Sequence, residues 1–452
     1  MELTETKRKL FIFTLLAGTF TMSISQSALS TAYPALMHFF AVDAATIQWL
    51  TTGFMLMMCV MMPVSPWLLN NISFKHLYLS VLALFGVGTL MIIFAPTFWL
   101  ALLGRLLEAT AVGILFPSFQ TVLMTITPKD KRGQTMGAAG LVMGSALAVG
   151  PIISGIVLNF LRWQDLFWLF CFLMLVIFLV ACVTISDVME RKPSQLDVCS
   201  LFYEGFGLGT LLYALTALKD PRQPLLNILL LVLGLCLLIA FCRRQLKLTT
   251  PLLELRIVKY LDFDIGLLLT GLSYVSLIVV TIVFPLYYQK ILGLSPLASG
   301  LSLVLPAVLL SVLNPVTGKL ADKWGFKPVL LVGVSMLLGG WAGLLLWQDH
   351  LGLPLLIAFS MVIEGGNAFV MMPATTLGAN SVPKNLIAHA TALTTTIRQL
   401  LGSLGVMLAT LLLSSAGQSI TQKSSYSRVF ICFLLIEAVA LVLALRLKEV
   451  KK

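Results

Sequence analysis

The stretch "NPVTGKLADKWGFKPVLL", residues 314–331, concentrates charge between two long apolar runs. It holds three lysines, one aspartate and two glycines, in a chain of 452 residues that is 59% hydrophobic and only 11% charged. Soluble domains carry about 25% charged residues, so a soluble globule could not bury this much apolar side chain. Apolar runs of about 20 residues, the length of a membrane-crossing helix, recur along the whole chain. The sequence therefore predicts an all-α polytopic membrane protein, with this stretch as a loop between two helices.

The positions of the basic residues predict how the chain is oriented in the membrane. The net charge is +11, and most Lys and Arg residues crowd into alternate gaps between the apolar segments, which we interpret as fourteen transmembrane helices. The positive-inside rule places these gaps, and both termini, in the cytoplasm. The same rule explains the positive net charge, so nucleic-acid binding is not needed to account for it. The seven cysteines lie mostly inside apolar segments and the four histidines lack metal-ligand spacing, so we expect neither a disulfide framework nor a metal site.

A repeat links the two halves of the chain. The segments "EATAVGILFPSFQTVLMTITPKD", from Glu108, and "EGGNAFVMMPATTLGANSVPKN", from Glu364, repeat the order Glu, Pro and Pro-Lys at an offset of 255–256 residues. A poorly preserved copy of the opening stretch, "MPVSPWLLNNISFKHLYL", occurs at residues 62–79. We therefore predict two six-helix bundles, 1–190 and 259–452, with two additional transmembrane helices at 191–258. Parallel halves of this kind are one architecture of secondary transporters, with the substrate site at the interface of the halves.

Four segments of the chain carry a family resemblance. They are "GKLADKWGFK" (318–327), "GRLLEATAVG" (104–113), "AVGPIISG" (148–155) and "FPLYYQKILGLSPLASG" (284–300). Together they resemble the major facilitator superfamily, in particular its fourteen-helix drug:proton antiporter branch. The resemblance implies a monomer in the cell membrane that exports hydrophobic, often cationic, small-molecule drugs by alternating access. It implies protons as the coupling partner, with no cofactor beyond the proton gradient.

The chain departs from the pattern of that branch at important positions. "ISQSALSTAYP" places Ser25 where the branch has an Asp in its first helix, so the usual carboxylate of helix 1 is absent. Glu108 and Ala109 stand where the helix-4 motif has Gln and Gly, while Arg105 of that motif is kept. The source of proton coupling must therefore lie elsewhere in this chain.

Glu108 and Glu364 are the leading candidates for proton and substrate coupling, with Arg105 and Arg398 as their companions. Ionisable groups inside a membrane are costly and are functional candidates by default. The resemblance places the helices of the two glutamates across a central cavity, where two carboxylates resist ionising together. A carboxylate that binds either a proton or a cationic substrate would couple their movements. The alternative is a structural role, with Glu108 paired to Arg105 and Glu364 paired to Arg398.

The opening stretch is predicted to act as a cytoplasmic latch. A carboxylate at Asp322 could accept hydrogen bonds from a helix N-terminus, where the helix dipole favours negative charge. Lys323 and Lys327 could pair with acids or with anionic lipid headgroups of the bilayer. Positive-inside topology alone would account for the lysines, but not for Asp322 or for the glycines at 318 and 325. The latch is therefore assigned to Gly318, Asp322, Lys323, Gly325 and Lys327.

Two further groups complete the candidate site. The antiporter motif consists of Gly150, Pro151 and Gly155, which could bend a helix and allow close packing, although ordinary Gly-rich packing is the alternative. Side chains that could line a cavity for flat cations through cation–π contact are more often packing or lipid-facing residues. Together with the polar position 25, they are Ser25, Tyr33, Trp49, Phe54, Tyr274 and Phe284.

Several functions compete at this point. A proton-coupled multidrug exporter is favoured, because no phosphate-binding Gly-x4-Gly-Lys-Ser/Thr loop is present and the energy should come from a gradient. A dedicated metabolite exporter of the same fold, or an importer, is the second transport hypothesis. A non-transporting membrane sensor or scaffold would show no proton-dependent flux. A membrane enzyme is least favoured, because the chain shows no metal cluster and no nucleophile–base set.

Overall fold

The computed structural model describes residues 5–189, 191–193, 195–217, 223–414 and 423–447. These residues form helices joined by short turns, and no strand occurs among them, as the apolar sequence predicts. The helices are, in chain order, α1 Glu5–Phe40, α2 Ala44–Ile47, α3 Trp49–Met61, α4 Ser65–Asn71, α5 Phe74–Ile93, α6 Phe98–Ile126, α7 Arg132–Phe160, α8 Trp163–Thr184, α9 Val198–Ala217, α10 Pro224–Lys247, α11 Leu261–Lys290, α12 Pro296–Ser302, α13 Val304–Trp324, α14 Phe326–Leu346, α15 Leu353–Asn380, α16 Ile387–Ser414 and α17 Lys423–Leu445.

The number of membrane spans can be compared with the predicted fourteen. Within the described ranges, 11 helices are long and apolar enough to cross a membrane, and 12 if α3 and α4, bent by 50°, form one span. The apolar part of α9, Val198–Ala214, is shorter than this length, and α7 is not among the 11. Both helices nevertheless coincide with predicted spans. The all-α membrane fold is confirmed, and the count of fourteen stays a prediction.

The opening stretch is mostly helix rather than loop. Helix α13 continues through Asp322 to Trp324, and α14 begins at Phe326. Gly325 alone separates them, with φ of 90°. A side chain with a Cβ atom is strained at that backbone angle, so glycine permits the abrupt change of direction. The prediction that Asp322 follows the helix was therefore wrong, because the helix ends only where this glycine stops it.

The sequence repeat has a structural counterpart. Helices α6 and α15 each contain an internal proline, Pro117 and Pro373. Each helix is followed by a single 3-10 turn, Lys129–Lys131 or Lys384–Leu386, and then by a long helix, α7 or α16. The proline before each turn has nearly the same backbone angles, φ −56° and ψ 147° at Pro128 and φ −57° and ψ 150° at Pro383. The repeated order of residues in the sequence thus produces the same local structure in both halves.

The residue contacts group the chain into two compact units. The first comprises Met1–Ile126, Val149–Arg256 and Thr391–Thr395, and the second comprises Thr127–Ala148, Ile257–Ala390 and Thr396–Lys452. The first half of α7 therefore belongs to the second unit. The core of the second unit is rich in buried aromatic side chains, among them Phe284, Trp341, Tyr426, Phe430 and Phe433.

In each unit, the helix that carries a candidate glutamate packs against a neighbouring helix through glycines. A Cβ atom on Gly88 of α5 would lie 2.6 Å from the carbonyl oxygen of Gly104 of α6. A Cβ atom on Gly333 of α14 would lie 2.9 Å from the carbonyl oxygen of Gly366 of α15. Small residues allow such close backbone approach, which replaces the hydrophobic driving force that is absent between helices in lipid. These contacts fix α6 and α15, the helices that carry Glu108 and Glu364.

The two helices of the inserted segment, α9 and α10, are linked at one end by a partly buried network of polar side chains. Arg244 of α10 donates from Nε and Nη2 to the two carboxylate oxygens of Asp197, at 2.8 and 2.9 Å. Ser200 of α9 also donates to Asp197, at 2.5 Å, and Gln245 donates to Ser200 at 2.5 Å. These hydrogen bonds, led by those from Arg244, lower the pKa of the Asp197 carboxyl to about 2. Because folding lowers this pKa, the stabilisation is fully present above the ordinary carboxyl pKa and is lost only in strong acid.

We predict that Arg244→Ala lowers the midpoint of thermal denaturation more than Arg162→Ala does. The Arg244 pair has two charged hydrogen bonds and should contribute about 1 kcal/mol or more even though the guanidinium is partly exposed. The control pair, Arg162 with Asp165, is separated by 3.8 Å and its arginine side chain is 79% exposed. Such surface pairs contribute about 0–1 kcal/mol. Denaturation of the purified protein in detergent checks this, and equal midpoints would contradict the fastening role.

Candidate functional site

The carboxylate of Asp322 accepts hydrogen bonds at the N-terminus of α7. Its Oδ1 accepts from the backbone N–H of Gly133 at 2.8 Å, and its Oδ2 accepts from the backbone N–H of Gln134 at 2.7 Å. The first turn of a helix has unsatisfied N–H groups and the positive end of the helix dipole, so an acid binds there favourably. The contact that the sequence predicted for Asp322 is therefore formed, and the structure identifies α7 as the helix concerned.

Two glycines let the backbones approach at this contact. A Cβ atom on Gly318 would lie 2.1 Å from the carbonyl oxygen of Gly133. A Cβ atom on Gly133 would lie 2.5 Å from both the carbonyl oxygen of Gly318 and the Asp322 carboxylate. Nearby, Arg132 donates to the side-chain oxygen of Asn380 at 2.7 Å. We define the Asp322 latch as Gly133, Gln134, Gly318 and Asp322.

The basic residues of the opening stretch do not take part in the latch. Lys323 is exposed and Lys327 is half-buried. Neither lysine forms an ion pair with an acid in the described ranges, so their predicted pairing with protein acids is not observed. Their predicted contact with anionic lipid headgroups stays a prediction.

Glu108 lies at the centre of a buried polar cluster in the first unit. Arg105 and Glu108 of α6, which are 1% and 0% exposed, form an ion pair three residues apart on the helix. Thr89 of α5 donates to the other Glu108 oxygen at 2.6 Å. The guanidinium of Arg105 lies 4.2 Å from the ring centroid of Phe54, a cation–π contact. The cluster thus matches the structural ion pair that the spacing of Arg105 and Glu108 allows.

Glu364, at the equivalent repeat position, has a different environment. It is 4% exposed, and one carboxylate oxygen accepts from the Asn367 amide at 3.2 Å. Ser273 of α11 in turn donates to the Asn367 oxygen at 2.6 Å. The alternative pairing with Arg398, which the sequence left open, is not formed in the described residues, because Glu364 reaches an amide one turn along its own helix instead. Glu364 forms no ion pair in the described residues.

Arg398 is directed toward α11. Its guanidinium carbon lies 5.3 Å from the ring centroid of Tyr274, whose hydroxyl donates to Gln399 at 3.2 Å. The residue is 3% exposed. The glycines of α16 allow this approach, since a Cβ atom on Gly402 would lie 2.7 Å from the Tyr274 ring. Tyr274, predicted to line a cavity, and Arg398, predicted to take part in coupling, are therefore in contact with each other.

The residues of the antiporter motif occupy different environments along α7. A Cβ atom on Gly150 would lie 1.9 Å from the Ser27 hydroxyl of α1, whereas one on Gly155 would meet open space. The backbone of α7 runs through position 151 as helix, and the side chain of Pro151 lies outside the described part of the structure. Close packing is thus observed at Gly150, and the role of the motif as a whole stays a prediction.

The remaining candidates for a cavity lining have different local environments. Tyr33 is hydrogen-bonded to Thr51, and Trp49, which is 40% exposed, stacks on Tyr213 at 6.5 Å. Phe284 is 1% exposed and packs against Trp341 at 6.3 Å in the core of the second unit, because an apolar ring gains most from full burial. Its assignment to a cavity wall is therefore corrected. Ser25 is buried, and its hydroxyl has no hydrogen-bond partner in the described residues.

Several residues of the site were missed from the sequence. Thr89 and Asn367 bind the two glutamates, and the backbone N–H groups of residues 133 and 134 bind Asp322. The spacing of Asn367, three residues after Glu364, was a usable signal because such residues share a helix face. Thr89 had no comparable signal, since it lies on a different helix. Outside these contacts, the buried acid Glu437 accepts from Ser276 at 2.5 Å.

Comparison with known proteins agrees with this architecture. The profile of the Major Facilitator Superfamily matches residues 15–406. An uncharacterized transporter of that type from Bacillus subtilis, YcnB, is 32% identical over 96% of this chain and 93% of its own. The lincomycin resistance protein LmrB of Listeria monocytogenes is 31% identical over 89% of this chain and 86% of its own.

A solved structure shares the fold. The proton:xylose symporter XylE superposes with a TM-score of 0.70 at 11% identity, covering 97% of this chain and 95% of that one. At that identity the likeness concerns the fold alone. The profile and the relatives identify a transport protein with several membrane-spanning helices rather than an enzyme. The chain therefore belongs to the major facilitator superfamily.

Proposed function

We propose that the protein is a proton-coupled exporter of hydrophobic, often cationic, drugs in the fourteen-helix branch of its superfamily. The proposal rests mainly on Glu108 and Glu364, two buried acids at equivalent positions of the repeat. Their negative charges are balanced to different degrees by neighbouring groups. Glu108 has Arg105 beside it, whereas Glu364 has only the neutral amide of Asn367. The similarity to LmrB, which is named for lincomycin resistance, supports drug efflux.

The unequal compensation suggests different roles for the two acids. A carboxylate buried without a cation favours its neutral form, because a low-dielectric surrounding penalises charge. In the proposal, Glu364 carries a proton in one state and a cationic substrate in the other, so the two compete for one site. Glu108 contributes to coupling through its ion pair, because protonation of Glu108 would weaken its electrostatic attraction to Arg105. The cytoplasmic termini are proposed from the distribution of basic residues, and the export direction from the Gly150-Pro151 motif.

The Asp322 latch would serve the conformational change. An acid that binds a helix N-terminus through two charged hydrogen bonds stabilises one conformation and must release in another. The protein is proposed to work as a monomer in the cell membrane, as the family resemblance implies. A dedicated metabolite exporter would use the same acids and would differ only in the range of molecules that it accepts.

We predict that Glu364→Gln abolishes coupling between drug export and the proton gradient. Glutamine keeps the shape and hydrogen bonding of a protonated glutamate but cannot release a proton. Lincomycin or a cationic dye would be followed in everted membrane vesicles, with and without an uncoupler. The wild type should respond strongly to the uncoupler, and the variant should show little gradient-driven flux.

The exposed loop variant Asp43→Asn is the matched control for this experiment, because Asp43 lies on the surface at the start of α2. It should export like the wild type. Gradient-driven export in Glu364→Gln at the wild-type rate would contradict the assignment of Glu364. Wild-type flux that ignores the uncoupler would contradict proton coupling, and a complete absence of flux for a broad set of compounds would favour a sensor or scaffold.

A further inference from the structure

The guanidinium of Arg398 is buried with free hydrogen-bond donors. Its Nε and Nη1 atoms, which carry three of the five N–H groups of an arginine, have no hydrogen-bond partner in the described residues. The residue is 3% exposed and lies on α16. The contact with the face of Tyr274 satisfies none of these donors, because the ring attracts the charge but does not replace a hydrogen-bond acceptor.

A buried arginine cannot solve this problem by losing its proton, since its charge persists under all ordinary conditions. An unpaired charge inside a membrane protein is therefore costly and marks a functional position. The free donors of Arg398 call for an oxygen acceptor, and a negatively charged one would compensate the charge as well. The next question is whether the protein itself provides such an acceptor.

Four acids of the second unit are possible acceptors for Arg398, but three of them bind other groups and the fourth lies further along α11. Asp322 binds the N-terminus of α7, and Glu437 accepts from Ser276. Glu364 accepts from Asn367 and forms no ion pair with Arg398. Asp264 lies ten residues before Tyr274 on α11, which is about 15 Å along a helix. No acid in the described residues pairs with Arg398.

We propose that Arg398 binds an anionic oxygen group, such as a carboxylate or phenolate, of the transported molecule. The proposal rests on the drug-export function and names the chemistry of its substrates. The two polar networks that contain Glu364 and Arg398 reach α11 at adjacent residues, Ser273 and Tyr274. One network contains an acid without a base, and the other contains a base without an acid. A molecule with an anionic group on an apolar aromatic frame suits Arg398, and a zwitterion could use both networks.

Two dyes with the same ring frame and opposite charge test this proposal. Fluorescein is an anionic xanthene, and rhodamine 6G is a cationic xanthene. Binding of each would be measured by fluorescence anisotropy on the purified full-length protein in lipid nanodiscs, for the wild type, Arg398→Gln and Arg398→Lys. The readout is the ratio of the two affinities, which a purely structural role of Arg398 would not change.

We expect Arg398→Gln to lower the fluorescein-to-rhodamine affinity ratio about tenfold or more, since a charged hydrogen bond is lost. Arg398→Lys should keep part of the preference, because lysine retains the charge without the planar donors. The control is Lys290→Gln, which removes an exposed positive charge from the same unit and should leave the ratio unchanged. An unchanged ratio in Arg398→Gln would overturn the proposal.

Two further outcomes separate the explanations. If Arg398 only holds another protein group in place, Arg398→Gln should weaken the binding of both dyes equally and leave their affinity ratio unchanged, which would overturn the proposal. If Arg398→Gln does not fold, the comparison of Arg398→Lys with the wild type decides. Because binding needs no gradient, a failure of proton-coupled flux would leave this result intact, and the reverse also holds.

Discussion

Replacement of Gly318 by alanine should abolish export, because the new Cβ atom would lie 2.1 Å from the carbonyl oxygen of Gly133. That distance is far inside van der Waals contact, and the atom it meets is backbone, which cannot rotate away. The Asp322 latch would be forced apart even though its carboxylate remains. Drug efflux from intact cells measures the effect, with the amount of protein in the membrane determined in parallel.

The matched control is Gly339→Ala in α14. A Cβ atom at Gly339 would meet nothing within 4 Å, and the residue is exposed within a helix. Alanine there should leave export unchanged, since alanine is a better helix former than glycine. Wild-type export by Gly318→Ala at normal abundance would show that the close approach to Gly133 is not needed for transport.

Asp322→Asn tests the electrostatic part of the same latch and should reduce export about tenfold. Asparagine keeps one oxygen acceptor but turns an amide group toward the second backbone N–H, and it loses the charge that the helix dipole favours. Hydrogen bonds to charged groups contribute about 1.5–3 kcal/mol. A full loss in Gly318→Ala with a partial loss in Asp322→Asn would indicate that shape and charge contribute separately.

The second large effect is expected for Glu108→Gln, which should both destabilise the protein and stop coupled export. The change leaves Arg105 buried with no acid beside it, and breaking a buried ion pair in this way costs about 3–5 kcal/mol. Thermal denaturation in detergent and gradient-driven efflux would be measured on the same preparations.

The double variant Arg105→Gln with Glu108→Gln separates the two roles of the pair. Both side chains are then neutral, so most of the stability should return. If the pair is only structural, export should return with it. We expect a stable protein that does not couple export to the gradient, and recovery of coupled export in the double variant would contradict the role of Glu108.

The sequence by itself determined the class of fold and the local structure of the repeat. A chain with 59% hydrophobic residues in long runs can only satisfy its backbone in lipid as helices, so the all-α membrane fold followed from composition. The Pro-Lys positions after α6 and α15 produced equal 3-10 turns, because proline restricts the backbone wherever it occurs. An acid binding a helix N-terminus was also predictable at Asp322, since the dipole acts on any nearby carboxylate.

The partners of long side chains were decided only by the tertiary structure. Sequence spacing identified the Arg105–Glu108 pair, because both residues lie on one helix face. The sequence left a pair between Glu364 and Arg398 open as an alternative, but flexible side chains on different helices reach whichever group the packing brings near. The packing of α16 against α11 placed the Arg398 guanidinium over the ring of Tyr274. Helix contacts of that kind depend on how the glycines and bulky residues of two distant segments fit together, which no local pattern contains.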